Sequence, residues 1–254
     1  MKRAILGSLV AVVIVFGTGA SQNPGPELTF AGQPSPVPAP LAYWPMCGDT
    51  SCTPSSSKTI PDISGNGYTA TWSGTPAGTT GYYSASSGTP KPYSAYTDGS
   101  TDTAVTSTLV SNVTTNWTMT MWVNFRNLPQ GATIFYNGTN GGTGGYGFFV
   151  GNGSCGSGSS VQGLFGGRSC GAGNSTVLTA GVWYFFALVN TGSTTYLYQN
   201  CSQTGTYSGG APNAPTGATN LIASSSFAGQ IQSLRFYSTA LTAAQECYLY
   251  TNKL

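Results

Sequence analysis

The segment Trp117 to Phe125 constrains this chain more than any other. Trp117, Met119, Met121, Val123 and Phe125 alternate with Thr118, Thr120, Trp122 and Asn124. Side chains of an extended chain point alternately to opposite faces, so this period of two specifies a strand with one apolar core face. The run Val182 to Val189 is apolar at every position. That suits a strand covered on both faces, or one that floors a groove. Further strand-like segments occupy 42–45, 68–72, 132–136, 146–151, 161–165, 194–199, 219–223 and 229–238, separated by clusters of Gly, Asn, Ser and Thr. Many short strands between turn signals specify a sandwich or barrel. One short helix is expected at the end, where Thr242-Ala243-Ala244-Gln245 forms a capping box and the helix runs to about Tyr250. The chain shows no internal repeat.

Composition narrows the function. Hydrophobic residues make up 39% and aromatics 12% of the 254 residues, which is too apolar for a disordered chain. Charged residues are only 6%, against roughly 25% in an average soluble domain. There is no histidine, which removes Ser-His-Asp and Cys-His machinery and histidine metal ligands. A net charge of +2 is no electrostatic footprint for nucleic acid. Setting Lys2 and Arg3 aside leaves six bases against six acids, so solubility rests on Ser, Thr, Asn and Gly.

The first twenty residues read as a secretory signal: Lys2 and Arg3, an apolar run from Ala4 to Phe16, then Thr18-Gly19-Ala20. The apolar run is shorter than the roughly 20 residues a membrane-spanning helix needs, so no membrane span is expected after signal removal. Residues 21–40 form a Pro-rich linker with Pro24, Pro26, Pro34, Pro36, Pro38 and Pro40, which favours an extended spacer. The folded domain is expected over 41–254. Six cysteines in an exported chain favour disulfides. Of 15 connectivities, sequence proximity favours Cys47–Cys52 and Cys155–Cys170, leaving Cys201–Cys247. A zinc site lacks both close C-x2-C spacing and histidine.

Several segments, taken in order, resemble one family. Ala42-Tyr43-Trp44-Pro45 resembles an opening strand, Asp62-Ile63-Ser64-Gly65-Asn66-Gly67-Tyr68 an Asp-x-Ser-Gly-Asn-Gly turn, and Asp98-Gly99-Ser100 a turn before a strand. Trp117 to Val123, Leu178 to Tyr184 with Ala187-Leu188-Val189, and Tyr196 to Asn200 resemble the central strands. Phe227 to Ile231, Arg235-Phe236-Tyr237 and Ala240-Leu241-Thr242 resemble the closing strand and helix. Together they resemble the LamG-like, concanavalin A-like lectin/glucanase domains. The resemblance implies an all-β fold: a two-sheet antiparallel jelly-roll sandwich with one short C-terminal helix. That fold hosts lectins, adhesion modules, enzymes and spacers alike.

The acids argue against catalysis. Enzymes of this fold carry acids at alternate positions of one strand, because i and i+2 share a face and retaining hydrolysis needs two carboxyls about 5–5.5 Å apart. Here the acids are Glu27, Asp49, Asp62, Asp98, Asp102 and Glu246, and the expected strands contain none. The resemblance also implies a structural calcium, with Asp62 and Asn66 as its oxygen ligands. The family's Ile-Asp-Glu pattern reads Ile231-Gln232-Ser233 here, which removes negative charge from such a site. A tight Asn-Gly turn with Gly67 at positive φ is the other account of the same residues.

Sugar sites pair an aromatic platform with hydroxyl and amide groups. Tyr82, Tyr83, Tyr93 and Tyr96 lie in a Gly/Ser/Pro/Thr-rich stretch, and Tyr146 follows a glycine-rich one. Trp122 is opposite in parity to the core set and is expected on the concave surface. These six residues are the candidate ligand contacts, since loops carry function on a rigid scaffold. The expected function is an exported non-catalytic carbohydrate-binding or adhesion domain, with a glycan or surface glycoconjugate as partner. The alternative is a structural surface or matrix protein without a small ligand. Asn-x-Ser/Thr sequons start at Asn112, Asn116, Asn137, Asn152, Asn174 and Asn200, each a glycan acceptor in a host that glycosylates asparagine.

Overall fold

Alternating faces organise the whole molecule. The computed structural model describes residues 37–128, 130–138, 143–151, 159–166, 170–173 and 177–254. The expected signal segment, most of the linker, Cys155 and the sequons at Asn152 and Asn174 lie outside the described residues. The strands are β1 (Ala42–Trp44), β2 (Thr59–Ile60), β3 (Ala70–Ser73), β4 (Tyr83–Ala85), β5 (Tyr93–Asp98), β6 (Thr103–Thr106), β7 (Trp117–Phe125) and β8 (Ala132–Asn137). They continue with β9 (Tyr146–Val150), β10 (Val161–Phe165), β11 (Trp183–Asn190), β12 (Thr195–Gln199), β13 (Ser202–Tyr207), β14 (Leu221–Ala223) and β15 (Ala228–Tyr237), and the chain closes on α1 (Ala243–Thr251).

One sheet has the order β13-β12-β11-β7-β15-β5-β4, with β1 also pairing to β15. The other has the order β10-β9-β8-β14-β6-β3-β2. Every named pairing is antiparallel, as in β7 with β11 and with β15. The two inner faces meet in one apolar core. Trp117, Met119, Met121, Val123 and Phe125 all face it and are fully buried. Across the sandwich Trp117 stacks on Tyr146 at 4.0 Å, and Trp44 meets Phe135 edge-on at 5.6 Å.

The doubly apolar strand β11 is explained by what covers it. Phe186 and Leu188 enter the core between the sheets. Phe185 and Ala187 point the other way and form a second cluster with Trp122, Tyr237, Leu241 and Leu249. Helix α1 supplies Leu249 to that cluster and so roofs part of the outer face. Its capping box is formed: Thr242 Oγ1 accepts from the Gln245 amide, and Gln245 Oε1 accepts from the Thr242 amide. The Cys201–Cys247 disulfide ties the helix to the β12–β13 turn, and Cys47–Cys52 closes a loop after β1. The expected partner of Cys170, Cys155, lies outside the described residues.

Tertiary pairing made strands that local pattern did not announce. The stretch Tyr82 to Tyr96, poor in strand formers, is the β4–β5 hairpin, because β5 is hydrogen-bonded along β15. β6 and the polar β13 are likewise strands by pairing. A register shift in β15 between Gln232 and Arg235 leaves Ser233 at φ 50°, a bulge that re-aims the side chains around it.

Candidate ligand-binding site

Three of the six candidate contacts are core residues. Tyr82 is 1% exposed, stacks on Trp72 at 5.2 Å and donates its hydroxyl to the Gly74 carbonyl at 3.1 Å. Tyr83 and Tyr146 are fully buried, and the Tyr146 hydroxyl donates to the Val113 carbonyl at 2.6 Å. Burial drives both phenols above their ordinary pKa. None of the three offers a ring face to a ligand. The reason is pairing: once β4 and β5 join the larger sheet, Tyr83 must face inward with its partner Ala95. Tyr93 and Tyr96 are half-buried and, three apart on β5, project to opposite faces.

Trp122 does lie on the outer face of the larger sheet, as its parity demands. There it is only 5% exposed, because α1 lies against it. The Tyr250 ring stacks on the indole with centroids 5.6 Å apart, and Phe185, its register partner on β11, is also in contact. Trp183 stands two residues before Phe185 on the same face and stays half-buried. Trp122, Trp183, Tyr250, Thr251, Lys253 and Gly88 line an open cleft of about 370 Å³. That volume falls in the range of small-ligand sites. Trp122 is the floor, the rings of Trp183 and Tyr250 are the accessible walls, and the lining holds a hydroxyl and an ammonium but no carboxylate.

The Gly88 side of the cleft is built by Gln232. This residue pairs with Trp122 across the β7–β15 register and is fully buried. Its Oε1 accepts from the Lys91 amide at 3.1 Å. Its Nε2 donates to the Lys91 carbonyl at 2.8 Å, to Ser86 Oγ at 3.2 Å and to the Tyr93 carbonyl. A single amide thus pins the 86–93 segment to the sheet face. A carboxylate could not donate these bonds, which gives physical content to Gln232 standing where the resemblance implies an acid.

The Asp62 turn does not fit calcium. Asp62 Oδ1 accepts from the Tyr43 and Ser64 amides, both at 2.9 Å. Oδ2 accepts from Ser64 Oγ at 2.8 Å and the Tyr68 amide at 2.9 Å. Two protein donors on each oxygen use the acceptor capacity a metal would need. Asn66 turns its amide nitrogen toward the Leu41 carbonyl at 3.0 Å. The turn is a hydrogen-bonded staple of β1, with Gly67 at φ 80° completing it. Among the described residues no three His, Cys, Asp or Glu come together to hold a metal.

Among the described residues, the other acids are either engaged in turns or sealed from solvent. Asp49 Oδ1 accepts from the Ser51 and Thr53 amides. Asp98 Oδ1 accepts from the Ser100 amide and hydroxyl, and the hydroxyl foremost pulls its pKa down. Asp102 is fully buried with neither oxygen hydrogen-bonded. Burial first, then the Asp98 carboxylate, raise it to about 6. Glu246, on the buried face of α1 and also without a hydrogen bond, is pushed by burial to about 9. Sealed oxygens cannot reach a scissile bond. Among the sequons, Asn137 is fully buried and bonded to Ser111 and Asn220, so it cannot carry a glycan in the folded protein.

Trp183 and Tyr250 are not among the candidate contacts read from the sequence, and Gln232 enters there only as the residue that removes an acid from the calcium pattern. Trp183 shares its parity with Phe185, and that was its only signal. Tyr250 and Gln232 became recognisable only once α1 and the 86–93 segment were seen on the sheet.

Two antiparallel sheets stacked face to face, one with a helix and an aromatic cleft on its outer face, define a lectin-type β-sandwich domain. The chain belongs to the concanavalin A-like lectin/glucanases superfamily, whose sequence profile matches residues 98–245. No curated protein sequence matches it. Among solved structures, domain 4 of AbnA, a GH43 extracellular arabinanase from Geobacillus stearothermophilus in complex with arabinotriose, is similar at TM-score 0.63 and 17% identity, covering 83% of this chain and 98% of that one. Trypanosoma rangeli sialidase in complex with the inhibitor DANA is similar at TM-score 0.58 and 11% identity, over 85% of this chain and 33% of that one. This chain therefore spans about a third of the sialidase. The botulinum neurotoxin serotype D binding domain is similar at TM-score 0.53 and 13% identity, over 85% of this chain and 52% of that one. At these identities the likeness is one of fold.

Proposed function

We propose that this chain is an exported, non-catalytic carbohydrate-binding domain: a signal segment at 1–20, a Pro-rich linker at 21–40 and a glycan-binding sandwich at 41–254. The observation that carries the reading is the cleft in which half-buried Trp183 and Tyr250 stand over Trp122 beside Thr251 and Lys253. An aromatic wall stacks on the apolar face of a sugar ring, while the Lys253 ammonium donates to its oxygens; the Thr251 hydroxyl, which donates to the Cys247 carbonyl at 2.8 Å, is left to accept. The AbnA domain, which binds arabinotriose on the same fold, supports this class of ligand. The non-catalytic part rests on Asp102 and Glu246 being sealed from solvent and on Asp49, Asp62 and Asp98 being engaged in turns. The two disulfides among the described residues support export.

Calorimetric titration of the purified chain with arabinotriose and other neutral trisaccharides tests the reading. Saturable binding weakened at least tenfold by Trp183→Ala supports it. A folded protein with no affinity for any of them, or binding that also hydrolyses the sugar, would sink it. A second reading, a structural surface protein without a small ligand, draws on the burial of Tyr82, Tyr83 and Tyr146. It gains if the chain self-associates and binds no sugar.

A further inference from the structure

Beside the β4–β5 hairpin lies a second open cleft of about 410 Å³, lined by Pro54, Ser55, Ser56, Thr80, Gly81 and Tyr93 and by no tryptophan. We propose that it is a second, charge-free sugar site, a reading that rests on the chain being a carbohydrate-binding domain. The argument comes from the direction in which each polar group is already committed. Ser55 Oγ accepts from the Ser57 amide at 3.0 Å, which leaves its O–H to donate. Thr80 Oγ1 donates to the Tyr83 carbonyl at 2.9 Å, which leaves its lone pairs to accept. The cleft therefore presents one hydroxyl donor and one hydroxyl acceptor of fixed sense. A sugar hydroxyl both donates and accepts, so neighbouring hydroxyls of one ring satisfy such a pair together.

The half-buried Tyr93 ring and the Pro54 ring supply the apolar surface for the sugar's C–H face. Tyr93 is held from behind: Gln232 bonds its carbonyl, and the Ser86 amide bonds the carbonyl of Pro92 at 2.9 Å. No charged side chain lines this cleft, whereas Lys253 lines the other. The ligand class is accordingly a neutral oligosaccharide.

The test is a calorimetric and NMR titration of the full chain, disulfides oxidised, with arabinotriose, xylotriose and cellotriose. Parent protein is compared with Tyr93→Ala, Thr80→Val, Ser55→Ala and Trp183→Ala. Two sites per chain are expected. Thr80→Val or Ser55→Ala weakens one of them at least tenfold, and Trp183→Ala leaves that one intact. Circular dichroism checks folding, and the two hydroxyl variants carry the test if Tyr93→Ala does not fold. A single site lost in Trp183→Ala and unmoved by Thr80→Val, Ser55→Ala and Tyr93→Ala would overturn the second cleft and leave the first. A single site lost in Thr80→Val and kept in Trp183→Ala would support the second cleft and overturn the first. No binding by any variant or the parent would overturn the carbohydrate reading and this inference with it.

Discussion

Tyr250 of α1 lies over Trp122 of β7, ring centroids 5.6 Å apart and planes 22° from parallel. This contact makes the C-terminal helix both the roof of the outer apolar cluster and a wall of the tryptophan cleft. Tyr250→Ala removes the wall and uncovers the indole. The expected result is at least tenfold weaker sugar binding with a stability loss of about 1–2 kcal/mol, smaller than for a core aromatic because Tyr250 is only partly buried. Calorimetry and a thermal melt of the same sample read both quantities.

Glu246 gives stability a pH dependence of definite sign. Its folded-state pKa of about 9 lies above the ordinary 4.5 because burial disfavours the charge. The folded state therefore holds a proton the unfolded state releases. Its contribution is complete below pH 4.5 and is lost as pH rises toward 9, by about 1.4 kcal/mol per unit. At pH 7 the loss is on the order of 3 kcal/mol. Asp102 acts with the same sign only up to about 6, so urea melts between about pH 6.5 and 9 isolate Glu246. Glu246→Leu is expected to raise stability at pH 8 and flatten this slope; an unchanged slope would refute the assignment.

The two disulfides should differ in weight. Cys201–Cys247 closes 46 residues and Cys47–Cys52 closes 5. Chain-entropy estimates are about 4 and about 2 kcal/mol respectively. Asn200 and Cys201 form the β12–β13 turn with φ of 48° and 72°, a conformation costing a cysteine about 1 kcal/mol. Replacing both members of the 201–247 pair by serine should therefore cost about 4 kcal/mol in guanidinium unfolding. It should also weaken the cleft that α1 walls. The same change at Cys47 and Cys52 should leave that cleft's affinity intact.

Asp62 should matter for stability independently of calcium. Four hydrogen bonds converge on its carboxylate, so Asp62→Ala should cost about 2–4 kcal/mol. The thermal midpoint of the parent should be the same in millimolar calcium and in excess chelator. A calcium-dependent rise in midpoint that Asp62→Ala abolishes would restore the metal.

Gln232 is the shared support of both clefts, since the segment it pins carries Gly88 on one side and Tyr93 on the other. Gln232→Glu keeps the size of the side chain but loses the two N–H donors shared among Ser86 Oγ and the Lys91 and Tyr93 carbonyls. Expected are a stability loss of about 2–4 kcal/mol, faster amide exchange over 86–92 and weaker sugar binding at both clefts. Loss at one cleft alone would show that the segment is not the common element.

The local pattern by itself determined an all-β sandwich or barrel, because a strand's side-chain period is local, and the resemblance to the LamG-like family narrowed that to a sandwich. Trp117 to Phe125 showed its core face by alternation, Val182 to Val189 was legible as a strand either covered on both faces or flooring a groove, and Thr242 with Gln245 marked the start of α1. The Asp62 turn was legible only as a choice between calcium ligand and tight turn, and the four hydrogen bonds on its carboxylate come from the tertiary approach of Tyr43 and Tyr68 as well as from Ser64. The ligand surface was not local. Whether a tyrosine is platform or core depends on which sheet its hairpin joins, and pairing of β5 with β15 sent Tyr83 inward and left Tyr93 at a cleft. Trp122, expected on the concave surface, lies on the outer face of the larger sheet, where the docking of α1, residues distant in sequence, makes it a covered floor. Burial and accessibility arise from contacts between remote segments, so the tertiary structure decided them.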